Sequence, residues 1–534
     1  MSGRKIGMLL LLLAFGATVE TAWQVKGHVG IGPEGCRVMG GRFYGPSYSF
    51  EQTAERAVPP AARLEVRNAF GEVRVTPGAA GVVRVKLRKV VFLPTEEKAR
   101  AFANRIELRL AGDGAPVTAG TNREELGRSD DVGFETHLEI EAAPDTAVSV
   151  RNEHGRVDVS GFASAEVESS FDGVTVARIA GEAKIDSRHG EVSLDDVGGA
   201  ATVTSRHGGV EVSGVRGHVR LDVQHGDTTA RRTGPLEAEQ QFGRFTAESV
   251  DGDLALRGSH SDVEVSDLTG HAEVETSFGG AQVVRVGRGA SVKAEHGRVS
   301  AEDVAGDLSA KSTHGDAEVR RVDGRTEIEV DHGAVNAGGL AGGARVRSSN
   351  GDVDLDGFSG EVVVEVDRGA ARLAPRAAIA APISVNVRHG EATLRVPDAS
   401  RANVWAESRR GDVRSELGDF PAPEGEDRRG PGRQVKGAIG GGGPEVRVQA
   451  DGDVALESHG SATAISDRAV AKPALASAPK PEAPAESSPT AAPTSAAPAP
   501  PAAPRAPAKP EGAAKPEAAP KPAAPPEAPE PPKN

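Results

Sequence analysis

Nine of the 14 histidines in this 534-residue chain stand immediately before a glycine: His154, His189, His207, His225, His296, His314, His332, His389 and His459. Imidazole is a common ligand for zinc, copper and nickel and a proton acceptor near neutral pH, so a regular row of them raises two kinds of chemistry, metal coordination and proton-linked behaviour. The sets best spaced for it are His189, His207 and His225, and His296, His314 and His332, at constant intervals of 18 residues. Equivalent places further along hold Phe242, Phe278, Asn350 and Arg368, which bind no metal, and no accompanying cysteine or carboxylate recurs to complete a tetrahedral set. The expectation is therefore a turn residue, with no metal and no cofactor, in a row of imidazoles that repel one another once protonated.

The glycine that follows defines the row. It recurs as Gly155, Gly173, Gly190, Gly208, Gly226 and Gly243, then, after Ser261 following His260, as Gly279, Gly297, Gly315, Gly333, Gly351 and Gly369, at steps of 17 or 18 residues. Steps of 21 lead on to Gly390 and Gly411, Gly452 closes the series, and Phe70-Gly71 is an earlier copy. A tight corner that needs positive φ explains the glycine, and His, Asp and Asn before it are among the side chains that best tolerate left-handed backbone.

Between corners the residues alternate. In the copy from Lys184 to Ala201, Ile185 and Ser187 precede His189-Gly190, and Val192, Leu194 and Val197 follow. Two strands of four or five residues span only about 15 Å each, too short to stand alone, so the copies must bury one another. A propeller blade needs more than two such copies, and a membrane barrel needs longer strands with aromatic girdles, whereas aromatics are 3% of this chain. The period predicts an all-β, single-stranded β-solenoid (β-helix), with right-handed winding favoured, of some 16 coils and a length of roughly 75–80 Å at the strand spacing of about 4.8 Å.

The flanking sequence supplies the rest of the organisation. Arg4, Lys5 and the apolar run from Ile6 to Val19 have the layout of an export signal, and residues 6–23 are long enough for an inner-membrane anchor if uncleaved. Residues 1–23 are thus a signal peptide or signal anchor, 24–60 a linker, 61–150 an N-terminal capping region holding the first coil and a helix over Thr95 to Ile106, 151–458 the solenoid, and 459–534 a disordered Pro/Ala/Lys/Glu-rich tail. Gly112 to Gly133 and Phe420 to Gly432 read as loops, and Gln434 to Leu456 as the closing coil. Cys36, the only cysteine, excludes an internal disulfide and sits in a poor context for lipid attachment. The net charge of −14, without a basic stripe, excludes nucleic acid as the expected partner.

The iterated strand-Gly-strand coils, Phe134 to Val150 leading into Arg151-Asn152-Glu153-His154-Gly155, and the segment Gly437 to Pro444 resemble the bacterial adhesin-like family, a domain of unknown function built from β-strand repeats. The resemblance covers residues 60–458, departs in placing histidine where the family more often has asparagine, and implies an envelope location with a binding or scaffolding role. It brings no catalytic residues. The leading expectation is a non-enzymatic exported envelope protein whose solenoid contacts another envelope or surface component, protein or polysaccharide. Its rivals are a periplasmic sensing or signalling domain and a β-helix polysaccharide-active enzyme. Asp195, Asp196, Asp222 and Asp303 would be candidate carboxylates for the latter, but they lack the aromatic platforms that sugar rings need.

Overall fold

The structure, a computed structural model, describes residues 46–112, 116–126, 132–417 and 433–459 and two short strands, Arg37–Met39 and Arg42–Tyr44. The expected leader or anchor, Cys36 and the proline-rich tail lie outside the described residues.

Each coil gives one strand to each of two parallel sheets. In the coil that begins at Ala183, the strand Ala183–His189 lies in the front sheet, the chain turns at Gly190, and Val192–Val197 lies in the back sheet. The next coil repeats this in register, His207 against His189 and Val210 against Val192. About 14 turns of period about 18 form this β-solenoid, following one another in sequence order from Ala147–His154 to Ala392–Pro397. Alternation places Ala183, Ile185, Val192, Leu194 and Val197 inside, all at most 2% exposed. The space between two such close sheets admits small aliphatics, with Phe162, Phe245 and Phe358 as the large exceptions, which explains why so few aromatics suffice. Each coil buries a handful of aliphatic side chains worth about 1.5–3 kcal/mol apiece, too little to fix one coil alone and ample once both sides are covered.

The helix forms as Glu96–Ala103, with Thr95 accepting from the Lys98 amide and Ala99, Phe102 and Ala103 buried. Gly112 to Gly133, by contrast, is not a loop throughout. Val117–Thr121 is a strand parallel to Arg63–Phe70, and Arg123–Leu126 is a short helix. Val117 and Ala119 on the strand and Leu126 on the helix point inward, too sparse an apolar signal to read among polar neighbours.

Both ends of the solenoid depart from sequence order. In the front sheet, the first coil's strand Arg63–Phe70 lies between Val117–Thr121 and Ala147–His154; in the back sheet, Val73–Pro77 lies between Gly133–Ala142 and Val157–Ser160. Leu108–Ala111 then covers the front edge, and Val82–Phe92 and Ser47–Ala57 the back edge, all antiparallel. The far end mirrors this. Glu445–Ala450 lies between Ile383–His389 and Ala402–Ser408, and Val454–His459 between Ala392–Pro397 and Val413–Ser415. The expected closing coil over Gln434 to Leu456 is thus corrected. Arg433–Ile439 is an antiparallel strand outermost on the front sheet, and the coil after it returns two strands inward. The reversal is made by Gly440, Gly441 and Gly442, at φ of 60°, 89° and 87°, three successive left-handed residues that only glycine adopts readily.

Candidate functional site

The residue before the corner glycine ends its front strand and points outward, held by what lies beneath it. Two positions earlier the side chain is often buried and polar, and it satisfies the carbonyls of the turn. Asn152 Nδ2 donates to Gly71 O at 3.1 Å and Gly155 O at 2.7 Å, Gln240 Nε2 to Gly226 O and Phe242 O, and Ser205 Oγ to Gly208 O. Gly190 N donates to His207 O at 3.0 Å and Gly208 N to His225 O at 2.9 Å, which ties each corner to the next. With the corner fixed, the outward ring has one direction to go.

Twelve rings stack along that edge: Phe70, His154, Phe171, His189, His207, His225, Phe242, His260, Phe278, His296, His314 and His332. Neighbouring centroids are 4.3–5.0 Å apart and ring planes 3–23° from parallel. The Arg123 guanidinium closes one end, 4.4 Å from the Phe70 centroid and 4.0 Å from that of Phe134. At the other, Asn350 Nδ2 lies 3.4 Å from His332 Nε2, and Arg368 Nη1 donates to Asn350 Oδ1 at 3.0 Å. Phe171, Phe242 and Phe278 are 43%, 41% and 45% exposed, although they are large and apolar.

The same geometry bears on the metal candidates. His189, His207 and His225 stack at 4.9 and 5.0 Å, and His296, His314 and His332 at 4.8 Å throughout. Two imidazole nitrogens on one zinc ion sit at most about 4.2 Å apart, twice the Zn–N bond, and must converge, whereas stacked rings hold their nitrogens side by side. Among the described residues no group of three or more His, Cys, Asp or Glu side chains is placed to hold a metal ion. Carboxylates do recur near the corner, unlike the expectation, but they are engaged. Asp227, Asp262, Asp316 and Asp352 accept the backbone N–H of Arg244, Gly280, Ala334 and Ala370 one coil further on.

Gly155, Gly190, Gly208, Gly226, Gly243, Gly279, Gly297, Gly315, Gly333, Gly351 and Gly369 line one edge. A Cβ on any of them would come within 2.4 Å of the carbonyl oxygen of the corner residue one coil earlier. Gly173 does not belong to that row. The positive φ, 73°, falls on Asp172, whose carboxylate accepts the Gly155 amide at 2.9 Å, so Phe171 takes the ring position. Ring spacing carried the signal, since Phe171 lies 17 residues after His154 and 18 before His189.

A second corner, at the end of each back strand, escaped the sequence reading. Arg178, Asp196, Arg232, Ser249, Asp267, Arg285, Asp303 and Arg321 all have φ of 51–59°, left-handed without glycine. Four of them join across coils. Arg285 Nε and Nη2 donate to Asp267 Oδ1 and Oδ2 at 2.5 and 2.8 Å, and Arg321 grips Asp303 the same way while reaching Glu302. These bonds hold the Asp267 and Asp303 carboxyls below the usual carboxylate range and raise the Arg285 and Arg321 guanidinium groups. Asp303, one of the carboxylates weighed for sugar chemistry, is therefore bound in an ion pair.

Fold and edge together define a repeat-built scaffold presenting one linear ring-stacked edge. Residues 261–457 match the model of the Toastrack family, DUF4097. No curated protein matches the sequence. Two solved structures are similar at the level of coverage, one described as a candidate cell adhesion protein from Clostridium sporogenes (8% identity, 77% of this chain and 100% of that chain, TM-score 0.12), the other as a candidate adhesin from Parabacteroides distasonis (12% identity, 65% and 96%, TM-score 0.16).

Proposed function

We propose that this chain is a non-enzymatic, exported cell-envelope scaffold of adhesin type, and that its ring-stacked edge is the strip it presents to a partner. The observation that carries the reading is the exposure of Phe171, Phe242 and Phe278 in one line on an otherwise charged surface. Aligned apolar rings held in the open by a rigid frame mark a contact surface. A recess lined by Asp227, Arg244, His260, Ser261, Asp262 and Phe278 lies on the same edge. The stacked rings spend their faces on one another and offer only their rims, which disfavours sugar stacking on a ring face and suits a protein partner whose apolar side chains meet the phenylalanines and whose polar groups meet the imidazoles. The Arg4-Lys5 charge and apolar run to Val19 support export.

The test is binding of the purified protein to isolated bacterial envelope fragments, wild type against the triple variant Phe171→Ser, Phe242→Ser, Phe278→Ser. The expected result is at least a tenfold loss of binding with the solenoid's circular dichroism spectrum retained. Equal binding by the triple variant refutes the edge as the contact strip, and recovery of both wild type and endogenous protein in the cytosolic fraction refutes export.

A further inference from the structure

The order of coils at the two ends has a mechanical consequence. In a solenoid wound in sequence order, the coil nearest each chain end is the outermost, covered on one side only, and a pull on that end peels it away. Here the last coil, Glu445–Ala450 with Val454–His459, is hydrogen-bonded on both sides. Val454–His459 pairs with Ala392–Pro397 inward and Val413–Ser415 outward, and Glu445–Ala450 pairs with Ile383–His389 and Ala402–Ser408. The turn between its strands is fastened both ways too. Gly452 N donates to Gly390 O at 2.9 Å, Asp451 N to Val387 O at 3.1 Å, and Ser408 Oγ to Gly452 O at 2.7 Å, while Arg410 Nε donates to Asp451 Oδ1 at 3.0 Å. The chain leaves from beneath a closed coil.

The opposite end repeats the device with unrelated residues. Once the edge strand Ser47–Ala57 is stripped, a pull reaches Arg63–Phe70 and Val73–Pro77, which again have a neighbour on each side. Covering an exposed sheet edge does not require this arrangement, because a cap placed after the last coil in sequence would cover it equally well. What interposition adds is that removing the terminal coil breaks two hydrogen-bond ladders at once, or displaces the coil lying over it.

We propose that the protein is a tension-bearing link, transmitting pulling force along the solenoid between its two chain ends, with each end locked beneath a coil that the sequence places further in. This goes beyond the edge-binding reading and does not rest on it, so the triple phenylalanine variant should leave the forces below unchanged.

The experiment is single-molecule pulling with optical tweezers on the full chain carrying Cys36→Ser, one handle at an N-terminal tag and the other on a single introduced thiol. Ser477→Cys places that handle in the segment beyond the last coil, and Arg414→Cys places it on the covering coil, at an exposed side chain. Apart from the exposed Arg414–Asp453 ion pair at 3.8 Å, which Arg414→Cys gives up, the two variants differ only in the point of load. Through Arg414 the load falls first on Val413–Ser415, a three-residue strand held by a single ladder to Val454–His459, so it should detach as a short early step at about half the force needed to open the far end through Ser477, where Val454–His459 is held by two. Equal forces, or a lower opening force through Ser477, overturn the proposal.

Discussion

The two corners of each coil ask the same thing of the backbone and receive different residues. Both take positive φ in most of the coils. The first is almost always glycine, while the second is filled by arginine, aspartate, serine or glycine with little preference. Space separates them. At the first corner a Cβ on Gly208 would lie 2.0 Å from Gly190 O, inside the neighbouring backbone; at the second, a Cβ on Gly214 would have its nearest atom, Asp196 N, at 3.4 Å, an ordinary contact. Positive φ alone costs an L-residue about 1–2 kcal/mol, which packing can absorb, whereas a carbonyl one coil away cannot move without shifting its own coil. Glycine is compelled by close approach and only favoured by conformation.

The sharpest way to break that comparison is to place the same methyl at both corners. Gly208→Ala should cost about 3 kcal/mol or more, since strain and clash act together. Gly214→Ala should cost about 1 kcal/mol. Because a repeat array can open locally, amide hydrogen exchange over residues 183–225 is the measurement, read coil by coil. Similar protection losses in the two variants would mean that φ, not space, sets the first corner.

The first corner also carries the rings. Phe242→Ala removes stacking on His225 at 4.8 Å and His260 at 4.9 Å, a loss of about 1–3 kcal/mol at about 0.5–1.5 per pair, softened by the gain from hiding no exposed ring. Exchange of the Gly226 and Ser261 amides should quicken while coils three or more away stay unchanged. A uniform change along the solenoid would mean that the stack acts as one cooperative column.

The same contrast explains what could be read from the residues. The glycine row, the period and the two alternating strands were legible because each coil touches the next at a fixed sequence distance, and a steric demand as strict as that at Gly208 leaves one residue type. The second corner was hidden because its demand is loose, so Arg178 and Asp196 look like ordinary surface residues. Phe171 was passed over, and Gly173 placed in the row, because Asp172-Gly173 imitates the turn pair one residue late. The interposed ends were out of reach for another reason. Strands Arg63–Phe70 and Val117–Thr121 are neighbours by a non-local choice that no period records, and the glycines at 440–442 signal a reversal without saying where the chain returns.

At the second corner the comparison predicts gains as well as losses. Arg178→Gly should stabilise its coil by up to about 1 kcal/mol, since it relieves left-handed strain where glycine fits freely. The same change at Asp303 should be close to neutral, because relief of strain is offset by losing the paired bonds to Arg321. Exchange rates of the flanking back-strand amides distinguish the two, and a destabilised Arg178→Gly variant would mean that the arginine holds its corner by a contact stronger than the strain.

The smallest effect isolates charge from conformation, since asparagine tolerates left-handed φ as aspartate does. Asp267 and Asp303 are held below their ordinary value of 3.8 by hydrogen bonds from Arg285 and Arg321. Their folded values are depressed, so the unfolded chain binds more protons in that window. Their stabilisation is fully present above pH 3.8 and is lost as the pH falls through the lower folded values. Asp303→Asn should therefore be less stable than wild type at neutral pH by under about 1 kcal/mol, as expected for exposed pairs, and the gap should close in strong acid and in high salt. Urea titrations of the two proteins across that range provide the check. A gap that persists below the folded carboxylate values would mean that Asp303 acts through a hydrogen bond that does not depend on its charge.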